Sequence, residues 1–299
     1  MLFASADPKA KRAAFRAKLR APGLLRFPGA FSPLVAMMIE RLGFEGVYIS
    51  GAVLSNDLGY PDVGLTTLSE VAQRGRVIAR VTDLPAIIDM DTGFGEPLNA
   101  ARTVQELEEM GIAGAHLEDQ VNPKRCGHLE GKGLVETDAM VKKIVAASKA
   151  KRDANFLLIA RTDARASEGL DKAIERAKAY VDAGAEMIFP EAMQDEKEFA
   201  AMRKAVSVPL LANMTEFGKS KLLDAKQLTE LGYNVVIYPV TTLRLAMKAV
   251  EDGLKQIAAD GTQEALLSRM QHRKELYDLI RYDDYTTFDS QVAGFRAKE

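Results

Sequence analysis

Residues 124–128 read Lys-Arg-Cys-Gly-His and hold the single cysteine of a 299-residue chain. Lys124, Arg125 and a protonated His128 would favour the thiolate of Cys126 and pull its pKa below the ordinary ~8.5. Gly127 lets the backbone come close to a ligand. The plain alternative is a loop cysteine that happens to sit in a basic turn.

Two further groupings could do chemistry. Asp89 and Asp91 are two apart, so on an extended backbone both carboxylates project to one side, and Gly93 and Gly95 behind them leave room for a ligand. Paired carboxylates suit Mg²⁺, which takes oxygen ligands, keeps several waters and shares its shell with an anionic substrate. Arg161 closes the apolar run FLLIAR. A guanidinium there needs a partner: a bound carboxylate or phosphate, or a structural ion pair with Asp163 or Glu191. His116 alternates with apolar neighbours and reads as a core histidine outside the site. His272, in a charged helical stretch, reads as solvated.

The elements that must position these groups are eight apolar, β-branched-rich runs: Leu24–Phe27, Gly46–Ser50, Ala86–Asp89, Gly114–Glu118, Phe156–Arg161, Met187–Pro190, Pro209–Asn213 and Val235–Tyr238. Helix-period segments separate most of them, including Leu34–Leu42, Leu98–Met110, Asp138–Lys151 and Leu170–Ala183. Thr67 and Glu70 spell a capping box that opens another. Strand–helix alternation predicts a parallel sheet, and eight repeats predict an α/β fold of the closed (β/α)₈ barrel type. The rival doubly wound sheet lacks its glycine-rich turn after the first strand. Residues 1–299 read as one barrel domain with a C-terminal helical extension, Thr242–Ala259 and Gln263–Tyr282, ahead of a polar tail. Ser50, Asp89, Asp91, Glu118, Arg161, Glu191 and Asn213 all fall at or just past C-terminal strand ends, the catalytic face of such a barrel.

Composition removes other classes. A net charge of −2 gives no reason to expect nucleic acid or an anionic membrane as partner. No apolar run approaches the ~20 residues of a membrane span. One cysteine excludes an intrachain disulfide and fits the reducing cytoplasm. Residues 9–20 carry six basic residues and no acid, which reads as a basic helix lying on the surface.

The motifs KRCGH, DMDTGFG at 89–95, LEDQ at 117–120, ARTDA at 160–164, FPEA at 189–192 and NMTEFG at 213–218 resemble the isocitrate lyase and phosphoenolpyruvate mutase superfamily from about residue 20 to 285. Chain length and NMTEFG favour its methylisocitrate-cleaving branch. The resemblance implies a (β/α)₈ barrel whose last helix is exchanged between subunits, in a homotetramer of helix-swapped dimers, acting on a small tricarboxylic acid. It implies Mg²⁺ (or Mn²⁺) held by Asp89 and Asp91. Substrate would be bound by Ser50, Gly51, Ala52, Gly127, Arg161, Glu191, Asn213, Met214, Thr215, Arg244 and Arg273. Cys126, with Lys124 and His128 beside it, would protonate the carbanion left by a Claisen-like cleavage. Tyr48 and Glu118 both stand open as the base. Loop 121–134 would close over the site, and Phe189 and Ile237 would house the substrate methyl. Superfamily alternatives are a glyoxylate-producing isocitrate lyase and an oxaloacetate decarboxylase. A catalytically dead barrel would have lost one of Asp89, Asp91, Cys126 or Arg161, and all four are present.

Overall fold

The computed structural model describes residues 4–125, 127, 131 and 133–296. Eight parallel strands run β1 Leu25–Pro28, β2 Val47–Ile49, β3 Ala86–Asp89, β4 Gly114–Glu118, β5 Leu157–Thr162, β6 Met187–Pro190, β7 Leu211–Asn213 and β8 Val235–Tyr238. They form a five-stranded sheet, β2 to β6 in order, and a three-stranded sheet β1-β8-β7. Parallel bridges from Gly29 to Tyr48 and from Ile188 to Leu210 join the two at both seams and close the barrel.

Side-chain alternation divides the core in two. Phe27, Tyr48, Ile87, Leu157, Ile159, Met187, Phe189, Leu211, Val235 and Ile237 fill the barrel interior, and a larger cluster packs between sheet and helices. Strand ends match the predicted ones to within two residues. The predicted capping box is present at helix Leu68–Ala79: Glu70 N donates to Thr67 Oγ1 at 3.3 Å and Thr67 N to Glu70 Oε2 at 2.8 Å.

The basic N-terminal helix, Pro8–Arg20, lies on the surface as expected, with Lys9, Lys18 and Arg20 exposed, but Lys11 and Arg12 are buried. It crosses the end of the barrel opposite the site and stoppers it with Phe15, fully buried and 5.3 Å from the Phe27 ring. Its cations reach main-chain carbonyls there. Lys11 Nζ donates to Ala79 O at 3.0 Å, Arg12 Nη2 to Glu108 O at 2.9 Å and Arg16 Nη2 to Phe156 O at 2.9 Å. Ala79 and Glu108 end helices, whose last carbonyls lack intrahelical donors and attract positive charge.

The C-terminal extension differs from the single helix expected over 263–282. A 3₁₀ helix Glu264–Arg269 is followed by α-helices Arg273–Leu279 and Tyr282–Ala293, so the expected polar tail is largely helical. His272 is an N-cap, its Nδ1 accepting from Lys274 N at 3.2 Å, and Arg281 adopts a left-handed φ of 58° that breaks the run. Helix Thr241–Asp260 has no buried residue in its 20 positions. Among the described residues no helix is long and apolar enough to cross a membrane.

Phe15→Ala should lower unfolding free energy by about 3–5 kcal/mol, the usual cost of emptying a buried aromatic site. Urea denaturation of the variant beside the parent measures it.

Candidate active site

The polar residues at the C-terminal strand ends converge on one cavity of about 50 Å³, lined by Tyr48, Ser50, Ala52, Asp89, Lys124, Gly127, Arg161, Glu191, Asn213 and Thr215, with Asp62, Phe189, Pro239 and Val240. Parallel register sets Glu118 beside Arg161 and Asp89 beside His116. Ser50 caps the short helix Gly51–Asp57, and Gly51 N donates to Asp89 Oδ2 at 3.3 Å. A Cβ on Gly51 would lie 2.9 Å from that oxygen, so only glycine brings this turn against the carboxylate.

Asp89 and Asp91 do meet, though not by strand alternation. β3 ends at Asp89, and Asp91 takes a left-handed φ of 46° with its N–H donating to Asp89 Oδ1 at 2.9 Å. A non-glycine residue in that region is strained, a state that recurs where backbone is shaped around a ligand.

Charge dominates the electrostatics. Burial, reinforced by Asp89, pushes Asp91 up to about 6, with Lys124 opposing. Burial would also raise Asp89, but the His116 ring, Lys124 and Arg161 hold it below the ordinary carboxylate range. Glu118 is pushed well up by burial, against Arg161 and Lys124. Lys124 ion-pairs with Asp62 and lies 2.8 Å from Asp91. Burial alone would lower it, but Glu118, Asp91, Asp89 and Asp62 hold its ammonium above the usual range. Arg161 is gripped by Asp163, Nε to Oδ2 at 2.9 Å and Nη2 to Oδ1 at 3.2 Å. It also lies 3.3 Å from Glu118 and 3.7 Å from Glu191, over the Phe189 ring. The ion pair with Asp163 and the place in the pocket, alternatives by sequence, are both realised.

The donor set suits a hard divalent cation. Both Glu118 oxygens are buried without a hydrogen bond among the described residues, Oε2 lying 3.3 Å from Arg161 Nε, and the buried Asp91 Oδ1 meets the Lys124 ammonium at 2.8 Å. Such oxygens are costly to bury unless a cation or ordered water satisfies them. Asp89 and Asp91 would hold Mg²⁺, whose remaining ligands would be water and an anionic substrate.

Several expectations need correction. Met214 points away from the pocket into the core between its lining neighbours Asn213 and Thr215, its sulfur accepting from Leu223 N at 3.2 Å. Arg273 is exposed at the start of its helix and does not line the cavity. Arg244 stays at the rim, paired to Glu216 at 2.6 Å and stacked over Phe217. Ile237 belongs to the barrel interior, which leaves Phe189 of the two methyl-pocket candidates. Glu118 lies behind Arg161 and does not line the cavity, whereas Tyr48 does. Cys126 and His128 lie outside the described residues.

Two residues escaped the sequence reading. His116 sits under the site, with Nε2 2.7 Å from the Tyr48 hydroxyl and Nδ1 3.5 Å from Asp89 Oδ1. Burial lowers its pKa to about 4, with Asp89 opposing. Its spacing of two from Glu118 was the available signal. Asp62, in an irregular segment after β2, offered none.

Gly127 shows why the basic motif needs glycine. A Cβ there would lie 2.3 Å from Arg161 Nη2, 2.6 Å from Glu191 Cγ and 2.8 Å from Asp163 Oδ1. Gly127→Ala should therefore cut kcat/KM by about 10²-fold, the scale of an ångström's misplacement at a reacting centre. Steady-state kinetics with a melting curve close to the parent's would check this.

The phosphoenolpyruvate phosphomutase family model matches residues 15–258. A probable 2-methylisocitrate lyase of Corynebacterium glutamicum is 62% identical, covering 98% of this chain and 96% of that protein. A solved oxaloacetate acetylhydrolase bound to the inhibitor 3,3-difluorooxalacetate superposes with a TM-score of 0.91 at 33% identity, over 98% of this chain and 100% of that one. A phosphonopyruvate hydrolase solved with oxalate and Mg²⁺ gives 0.85 at 29% identity, over 94% and 98%. The chain belongs to the isocitrate lyase and phosphoenolpyruvate mutase superfamily, on its 2-methylisocitrate lyase branch.

Proposed function

We propose that the chain cleaves 2-methylisocitrate into pyruvate and succinate, as the carbon–carbon lyase of a propionate-degrading methylcitrate cycle. The observation that carries this is a buried guanidinium, Arg161, in a pocket at the barrel mouth that Asp89 and Glu191 also line, with Glu118 3.3 Å from its Nε. The C2–C3 bond breaks as the tertiary hydroxyl loses its proton, and the electron pair passes into the adjoining carboxylate as an enediolate. Arg161 stabilises that charge where water is excluded. Bound Mg²⁺ would supply Lewis-acid polarisation of the hydroxyl and its carboxylate.

Of the two candidate bases Tyr48 faces the cavity, its hydroxyl hydrogen-bonded to His116, but burial and Asp89 push its pKa well above the ordinary phenol value, so its place and not its basicity favours it. Cys126 then delivers a proton to C3, balancing the one removed. Glu191 and Asn213, joined through Asn213 Nδ2 at 3.3 Å, fix the carboxylates' surroundings with Ser50 and Thr215. Helix Thr241–Asp260, which exposes Leu245, Met247, Val250 and Leu254, supports exchange with a second copy and assembly into a tetramer. The lone thiol fits a reducing cytoplasm.

Incubation with Mg²⁺ and 2-methylisocitrate, isocitrate or oxaloacetate, followed by product identification, tests the reading. Pyruvate from the first should predominate, with kcat/KM about 10- to 200-fold above isocitrate, the worth of one housed methyl. Glyoxylate production favoured over pyruvate would overturn the assignment. Exhaustive chelation should abolish turnover and Mg²⁺ restore it. Cys126→Ser should lower kcat by about 10²–10⁴-fold with a smaller change in KM, as loss of a general acid does.

A further inference from the structure

Behind the pocket lies a second buried polar cluster that none of these roles uses. Asp119 follows Glu118, so its side chain turns outward from the barrel as Glu118 turns inward. It is fully buried beneath helix Leu170–Asp182. Its carboxylate accepts from Thr162 Oγ1 at 2.8 Å, Asp163 N at 2.9 Å and Tyr180 OH at 2.8 Å, with Arg176 Nη1 3.6 Å away. Arg176 is held in turn by Glu168, at 2.9 and 2.8 Å, and donates to Tyr180 OH at 3.2 Å.

Apolar packing of similar volume would serve a purely structural contact between strand and helix as well or better. The partners of Asp119 point to a different purpose. Two of its three hydrogen bonds hold Thr162 and Asp163, the residues directly after Arg161. Asp163 grips the Nε and Nη2 edge of the Arg161 guanidinium. Gripping that edge fixes the plane of the fork and turns its remaining N–H donors to other partners.

We propose that Asp119 is the positioning residue for Arg161. It pins Asp163, Asp163 sets the guanidinium plane, and Tyr180 and Arg176 hold Asp119 in place. The inference rests on the reading of Arg161 as the cation that meets the substrate's developing charge.

The test is a double-mutant cycle with the Mg²⁺-loaded protein. Asp119→Asn keeps the shape but sets an amide N–H against donors, and should lower kcat by about 30-fold while KM moves less than threefold. In an Arg161→Lys background, where no fork remains to aim, the same change should cost less than about threefold. Equal losses in both backgrounds, or an Asp119→Asn kcat within twofold of the parent, would overturn the proposal. Should Asp119→Asn fail to fold, Tyr180→Phe, which removes one donor, is judged by the same comparison with an expected loss of about threefold or more. If the parent does not cleave 2-methylisocitrate, the functional reading fails separately, and the cycle is read on whichever of isocitrate or oxaloacetate the parent does cleave.

Discussion

Two buried cations, Lys124 and Arg161, face Asp62, Asp89, Asp91, Glu118, Asp163 and Glu191 at the barrel mouth. Charges removed from water are tolerated only when paired and hydrogen-bonded, and two cations cannot neutralise six carboxylates. The surplus has two physical outlets. One is protonation, toward which burial pushes Glu118 and Asp91. The other is a further cation at the same two carboxyls, beside Lys124 at 2.8 Å from Asp91 and Arg161 at 3.3 Å from Glu118. A divalent metal answers the second need, and its arrival at Asp91 would also favour that group's ionised form.

Such a site must be built on parts that do not yield, since close like charges repel whatever holds them. The closed sheet supplies this. Strand alternation sends Asp89, Glu118 and Arg161 inward above a packed layer of Tyr48, His116 and Phe189. Phe15, fully buried, closes the far end with an apolar ring. The left-handed turn at Asp91, costing about 1–3 kcal/mol, is sustained by that surrounding rigidity.

Where one chemical rule governed, the sequence could be read. Continuous apolar, β-branched-rich runs located all eight strands, because a parallel strand buried on both faces has few other ways to be written. Polar residues at their ends located most of the pocket by the same logic. The burial of Lys11 and Arg12 in the N-terminal helix was not legible because cations usually mark a solvated face, and nothing local says that they will meet helix-end carbonyls far along the chain. Met214 was misassigned because a motif names neighbours without saying which way each points. His116 was passed over because a histidine among apolar residues looks the same whether its ring meets only carbon or Tyr48 and Asp89. Helix 263–282 failed at caps, where His272 and Arg281 act through conformations that composition does not announce.

The division of labour between strand and loop follows from what a carbanion requires. Its charge must be met by donors already in place, because reorganising them during bond breaking would consume the stabilisation they offer. Arg161 therefore belongs on a strand, braced by Asp163 and Asp119. Lys124 and Gly127, from the segment after β4, line the pocket together with the strand-end residues and form its roof. Gly127 forms part of that roof, closer to Arg161, Asp163 and Glu191 than any side chain would allow. Fixed charges below and a close-fitting backbone above leave little room for water beside the Arg161 guanidinium, which strengthens every electrostatic interaction it makes.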